Sequence, residues 1–161
     1  MAPRKFYPTL LLTFLLAGTM DALAAIIFSR SASPEMIFRF IASGVFGTAA
    51  FTGGKSMVAL GVLFHYLIAY IYTATGFILY PNIRRVFRNK LLIAFLYGFC
   101  IWVIMNYVVL PLSNTPKSHK PLTLYSLAVG LGALVFCIGL PIAVMAGKYY
   151  RIGPKKTPAL I

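Results

Sequence analysis

The sequence predicts an all-α fold: four transmembrane helices packed as a bundle, with a short interfacial helix between the first two spans. Three observations predict it. Of the 161 residues, 60% are hydrophobic and 11% are charged, about half the charged share of an ordinary soluble domain. Four apolar stretches each reach the roughly 20 residues that a helix needs to cross a hydrocarbon core. The basic residues cluster at the ends of those stretches, where membrane helices carry them. Lipid offers no partner to backbone N–H and C=O groups, so each span has to bond within itself as a helix. The length suits one membrane domain, residues 1–161.

The first span is read from Pro8 to Ser29, broken by Asp21. The second runs from Met57 to Tyr80 and contains His65. The third runs from Leu91 to Leu112 and contains Asn106. The fourth runs from Leu122 to Gly147, with Tyr125 and Cys137 as its ionisable side chains, and a basic tail covers 148–161. Pro141 predicts a kink near the end of the fourth span. Asn114-Thr115-Pro116 reads as a turn before it. Cys100 and Cys137 fall inside apolar runs and read as packing thiols. No zinc or haem-attachment spacing occurs, and no cofactor or metal site is expected.

Between the first two spans, Ser33-Pro34-Glu35 is a helix start: Ser at the N-cap, Pro at N1 and an acid in the first turn. Glu35, Arg39, Ser43 and Gly47 then fall four apart on one stripe, with Ile37, Phe38, Ile41, Val45 and Phe46 elsewhere. This predicts an amphipathic helix over 34–47 lying on the outer membrane interface. Thr52-Gly53-Gly54 should close that region.

The net charge is +13, and Asp21 and Glu35 are the two acids. Because the cations flank apolar runs, they speak for anionic lipid headgroups rather than nucleic acid. With four spans, the N-terminus, the second loop and the C-terminus share a side. That side holds Arg4, Lys5, Arg84, Arg85, Arg88, Lys90, Lys148, Arg151, Lys155 and Lys156, against Arg30, Arg39, Lys55, Lys117 and Lys120 opposite. The imbalance predicts both termini in the cytoplasm. Met1 to Ala24 also has the make-up of a secretory signal, ending in Ala22-Leu23-Ala24. The apolar run continuing through Phe28, and Asp21 beside the cleavage position, argue for an uncleaved span.

Ala49 to Ser56, A-A-F-T-G-G-K-S, fits a relaxed phosphate-loop pattern. A working loop needs a strand before it and an acid for magnesium, and neither is expected here. Lys55 reads better as an anchor for the second span. No nucleophile elbow or oxyanion turn accompanies the single intramembrane histidine, so the chain does not read as an enzyme. A haem held by His65 would need a symmetric dimer.

The informative residue is Asp21. An acid inside a span costs about 3 kcal/mol or more and needs a partner or water. At 1.5 Å per residue, Asp21 and His65 both lie about 12 Å below the outer boundary, with Asn106 slightly shallower. Two readings follow. Desolvation and pairing oppose each other in both groups, which predicts an Asp21–His65 pair that responds to protons. Alternatively the pair is helix-packing glue. Gly18 with Ala22, and Ala128 with Gly132, are four-apart small pairs that suit close packing, a homo-oligomer or a membrane partner.

Gly18-x-x-Asp21, Arg39-Phe40-x-Ala42-Ser43-Gly44 and Gly61-x-x-x-His65-Tyr66 together resemble a group of uncharacterised bacterial small membrane proteins. The chain is similar to the YagU-like inner-membrane family over roughly residues 10 to 112. The resemblance implies a bacterial cytoplasmic membrane, about four helices and a role in acid tolerance, with Asp21 and His65 as the matching positions. The functional expectation is therefore a small proton-responsive or proton-coupled membrane protein. The alternatives are an accessory subunit and a small transporter acting as an oligomer.

Overall fold

The structure, a computed structural model, describes residues 5–29, 32–117 and 123–151. Arg4, Arg30, His119, Lys120 and the tail beyond Arg151 lie outside the described residues. Helix α1 runs over Phe6–Phe28 and α2 over Pro34–Phe46. A 3-10 turn, Gly47–Phe51, leads into α3, Gly54–Val86. Helices α4, Lys90–Leu112, and α5, Leu124–Tyr150, complete the chain. All regular structure among the described residues is helical. Helices α1, α3, α4 and α5 are long and apolar enough to cross a membrane. Their outward faces keep Leu12, Ile27, Ile78, Leu91 and Phe136 more than half exposed, as suits a surface whose solvent is hydrocarbon.

Helix α1 packs on α3, and α5 touches α1, α3 and α4. The approaches are close where a side chain is missing. A methyl on Gly98 would strike the Val135 backbone, and one on Gly139 the Ala94 backbone, so α4 and α5 meet main chain to main chain. At the end that holds the termini the interior is filled. Leu10, Phe77, Tyr80, Ile93, Ile142 and Ala146 form one buried cluster. Phe6 closes it edge-on, 5.6 Å from the Tyr149 ring centroid and 6.1 Å from that of Phe77.

The α2 helix begins as its sequence predicts: Ser33 Oγ accepts from Met36 N–H at 3.3 Å, and Pro34 occupies the first turn. Its polar stripe, however, is turned inward at Arg39 and Ser43, while Glu35 stays exposed. Ser43 is fully buried and donates to Phe40 O at 2.6 Å. Arg39 Nη1 donates to Phe51 O at 3.1 Å, while its other arm meets Glu35 at 3.7 Å. Met36, Phe40, Val45 and Phe46 face outward instead. The reason is local. The chain reverses between α2 and α3, and carbonyls in that reversal lack helical donors; the stripe supplies one. The turn after α4 satisfies two more, since Asn114 N–H and Nδ2 donate to Gly44 O and Val45 O at 3.0 and 2.9 Å. Gly61 of α3 lies so close to the Phe38 backbone that no side chain fits between them. The α2 helix is thus seated on α3.

Helix α3 runs 33 residues, through Pro81 and on to Val86, beyond the Tyr80 boundary read from hydropathy. Proline has no N–H, so the carbonyl four residues earlier, Phe77 O, loses its helical donor. The Tyr150 hydroxyl of α5 donates to it at 3.0 Å, and the Tyr80 and Tyr150 rings stack at 5.9 Å. The orphaned bond is remade between helices, so the helix continues.

Helices α4 and α5 share a device. Each contains a π-helical segment, Met105–Val109 and Leu134–Gly139. Each segment is followed by Leu-Pro, Pro111 and Pro141. The leucine N–H reaches back five residues, Leu110 to Met105 O and Leu140 to Val135 O. A widened turn thus stands on the N-terminal side of Pro141, and a matching one precedes Pro111.

Candidate functional site at Asp21

Asp21 stands on α1 one turn after Gly18. A methyl on Gly18 would press on Ala69 and Tyr66, so α1 and α3 lie close there. His65 of α3 uses that proximity: its Nε2 is 2.8 Å from Gly18 O. A carbonyl can only accept, so Nε2 carries a proton. Beside it, Thr19 Oγ1 and Tyr66 OH share a hydrogen bond at 2.9 Å. Phe38 and Tyr66 present their rings edge-on to the imidazole at 6.3 and 5.5 Å. His65 therefore ties two helices together through a backbone carbonyl.

Asp21 is treated differently. Among the described residues its carboxylate makes no hydrogen bond and no ion pair; the one ion pair is Arg39–Glu35. His65 lines the same cavity as Asp21. The two residues read from the sequence as a pair are brought to one cavity but are not bonded. Asn106 does not join them: its Nδ2 donates to Trp102 O at 2.8 Å, serving a carbonyl at the entry to the π segment of α4. Glu35 and Arg39 belong to the α2 stripe. Lys55 stands exposed in the first turn of α3, where the phosphate-loop pattern has a 3-10 turn before it rather than a strand.

Two cavities meet at Asp21. The larger, about 540 Å³, lies beneath α2 and reaches Asp21, His65 and Tyr72. Ile37 and Ile41 of α2 roof it. Its far wall is built from the widened turns, Met105 and Val109 of α4 with Leu134 and Ile138 of α5. A π turn carries an extra residue per turn and locally reshapes the helix, a feature that recurs at functional sites. The smaller cavity, about 390 Å³, runs between α1 and the start of α5. Ser29, Tyr125 and Ser126 line one end of it and Asp21 the other. The carboxylate thus stands on the boundary of an apolar space and a second space that bears hydroxyls.

Hydropathy alone identified Asp21 and His65 but missed the cavity, because its walls are ordinary apolar residues. The Leu-Pro pairs at 110–111 and 140–141 are the sequence signal that could have pointed to it. Of the two small pairs, Gly18 is used in helix contact and Ala22 lines the larger cavity. Gly132 faces open space and Ala128 is exposed. No three His, Cys, Asp or Glu side chains gather among the described residues. No protein-family model, curated protein or solved structure was found to match the chain.

Proposed function

We propose that this chain is a multi-pass protein of a bacterial cytoplasmic membrane, a four-helix bundle with both termini cytoplasmic, whose function is a proton response centred on Asp21. In this reading α2 sits at the outer interface, with Met36, Phe40 and Val45 toward lipid. It acts without catalysis and without a bound cofactor. The observation that carries the reading is the unpaired carboxylate at the meeting of two cavities. A charge at that depth costs about 3 kcal/mol or more, and with no cation of the described residues bonded to it the carboxyl exchanges its proton with whatever fills the cavities. His65 acts as a positioning residue that holds α3 beside Asp21. A role in acid tolerance, implied by the resemblance to YagU-like proteins, accords with a proton site of this kind.

A second reading has one observation behind it. The uncovered Ala128 and Gly132 face of α5 suits a second copy or another membrane subunit, which would make the chain an accessory protein or an oligomeric transporter.

The test is proton flux in proteoliposomes with a trapped pH dye, for wild type and Asp21→Asn. Flux that vanishes in the variant supports the proton site. The absence of flux above empty liposomes in wild type and variant alike, both folded, removes conduction and favours the accessory reading.

A further inference from the structure

We infer that the larger cavity is a binding site for an amphiphilic organic cation, a molecule with an apolar body and an ammonium-like charge, and that Asp21 is its counter-charge. The inference rests on the proposed reading of Asp21 as an exchangeable site, and adds what exchanges with the proton there.

Four observations converge. The first is size: about 540 Å³ falls within the roughly 300–1,000 Å³ of small-molecule sites. The second is lining. Apart from Asp21, His65 and a few hydroxyls, the walls are aliphatic and aromatic, which favours an apolar body and offers a hydrated inorganic ion too few oxygens. The third is charge. The chain carries 15 Lys and Arg, yet among the described residues none pairs with Asp21. Arg39, on the roofing helix, is turned to Glu35 and Phe51 O and does not line the cavity. A carboxylate in apolar surroundings requires a cation or a proton, and no described Lys or Arg supplies one. The fourth is the aromatic content of the wall: Phe38, Phe64 and Tyr72 line the same space, and ring faces favour desolvated cations. An anionic amphiphile would meet the charge of Asp21 with like charge, which excludes it. A proton on Asp21 and the cation then compete for one site.

The experiment uses the full chain in phosphatidylcholine nanodiscs, with empty nanodiscs as background. The probes are tetraphenylphosphonium and its near-isosteric anion tetraphenylborate. The expected result has three parts: saturable phosphonium binding that weakens as the medium is acidified, no saturable borate binding, and phosphonium affinity at least about tenfold lower in Asp21→Asn. Ile41→Trp, which fills the cavity and keeps the acid, should lower affinity to a similar degree. Borate binding as well as phosphonium, or phosphonium binding that ignores pH, overturns the inference and makes the cavity an acyl-chain site. So does the lack of saturable binding by either probe. If Asp21→Asn abolishes proton flux while phosphonium fails to bind wild type, the cation falls and the proton site stands. Acid-sensitive phosphonium binding without any flux keeps the exchangeable site and its cation and removes only conduction. Should Asp21→Asn not fold, the pH dependence in wild type decides alone.

Discussion

Tyr150→Phe is predicted to destabilise the protein by about 1–2 kcal/mol, and to do so only while Pro81 is present. Pro81 removes the donor that Phe77 O would have had in an unbroken helix. Phe77 is fully buried, so water does not replace the donor, and the Tyr150 hydroxyl at 3.0 Å does. An ordinary interhelical hydrogen bond in a membrane protein contributes about 0.6 kcal/mol and at most about 1.7. Removing one partner of a buried pair adds the desolvation of the group left behind, about 1–3 kcal/mol. The two figures bracket the prediction. Phenylalanine keeps the ring that stacks on Tyr80, so packing changes little. In a Pro81→Ala background the backbone N–H returns and Phe77 O no longer depends on α5. There Tyr150→Phe should cost less than about 0.5 kcal/mol, giving a coupling of about 1 kcal/mol. The assay is unfolding in mixed micelles by increasing sodium dodecyl sulfate, followed by circular dichroism, for all four members of the cycle. An equal cost of Tyr150→Phe in both backgrounds refutes the account of the proline.

Two further outcomes are expected. His65→Phe keeps an aromatic ring between Phe38 and Tyr66 but loses the bond to Gly18 O, which retains its own helical donor. Stability in the same assay should fall by about 0.6–1.7 kcal/mol, and a loss above about 3 kcal/mol would mean the imidazole also holds a buried charge. Gly61→Ala places a methyl against the Phe38 backbone, which cannot rotate aside, and should cost about 1–3 kcal/mol. The same change at Gly132, which meets nothing within 4 Å, should be neutral or stabilising by up to about 1 kcal/mol. Equal effects at the two glycines would remove the close seating of α2 on α3.

The membrane-length helices were legible from the sequence because hydropathy over about 20 residues reports a solvent, not a partner. Where a partner decides, the reading slipped. Helix α3 runs past Tyr80 because Tyr150, seventy residues away, remakes the bond that Pro81 deletes. The α2 boundaries followed from Ser33, Pro34 and Glu35, since caps are local. Its facing did not follow: Arg39 turned to Phe51 O, a carbonyl whose need arises from the reversal after Phe46, and Ser43 was buried with it. Asp21 and His65 line one cavity. Helix rotation, which counting leaves free, put the imidazole on Gly18 O and left the carboxylate unbonded.

The two ends of the molecule are built unlike one another, and this bears on how a proton site at Asp21 would operate. Toward the termini, Phe77, Tyr80, Ile142 and Ala146 pack with almost no exposure, and Phe6 and Tyr149 cover them. Toward α2, the widened turns of α4 and α5 open a cavity, and a second cavity runs from Ser29 and Ser126 to the same acid. Asp21 thus borders cavities on the α2 side, while the cluster toward the termini is packed. A pore would need a continuous polar file, and the buried cluster interrupts it with side chains that hydrate poorly. Any proton that crosses through Asp21 therefore requires the packed end to part, a motion on the microsecond-to-millisecond scale of helix rearrangement. On the proposed reading, transfer follows the slow kinetics of a carrier, and without that motion the same site reports the proton concentration of one side.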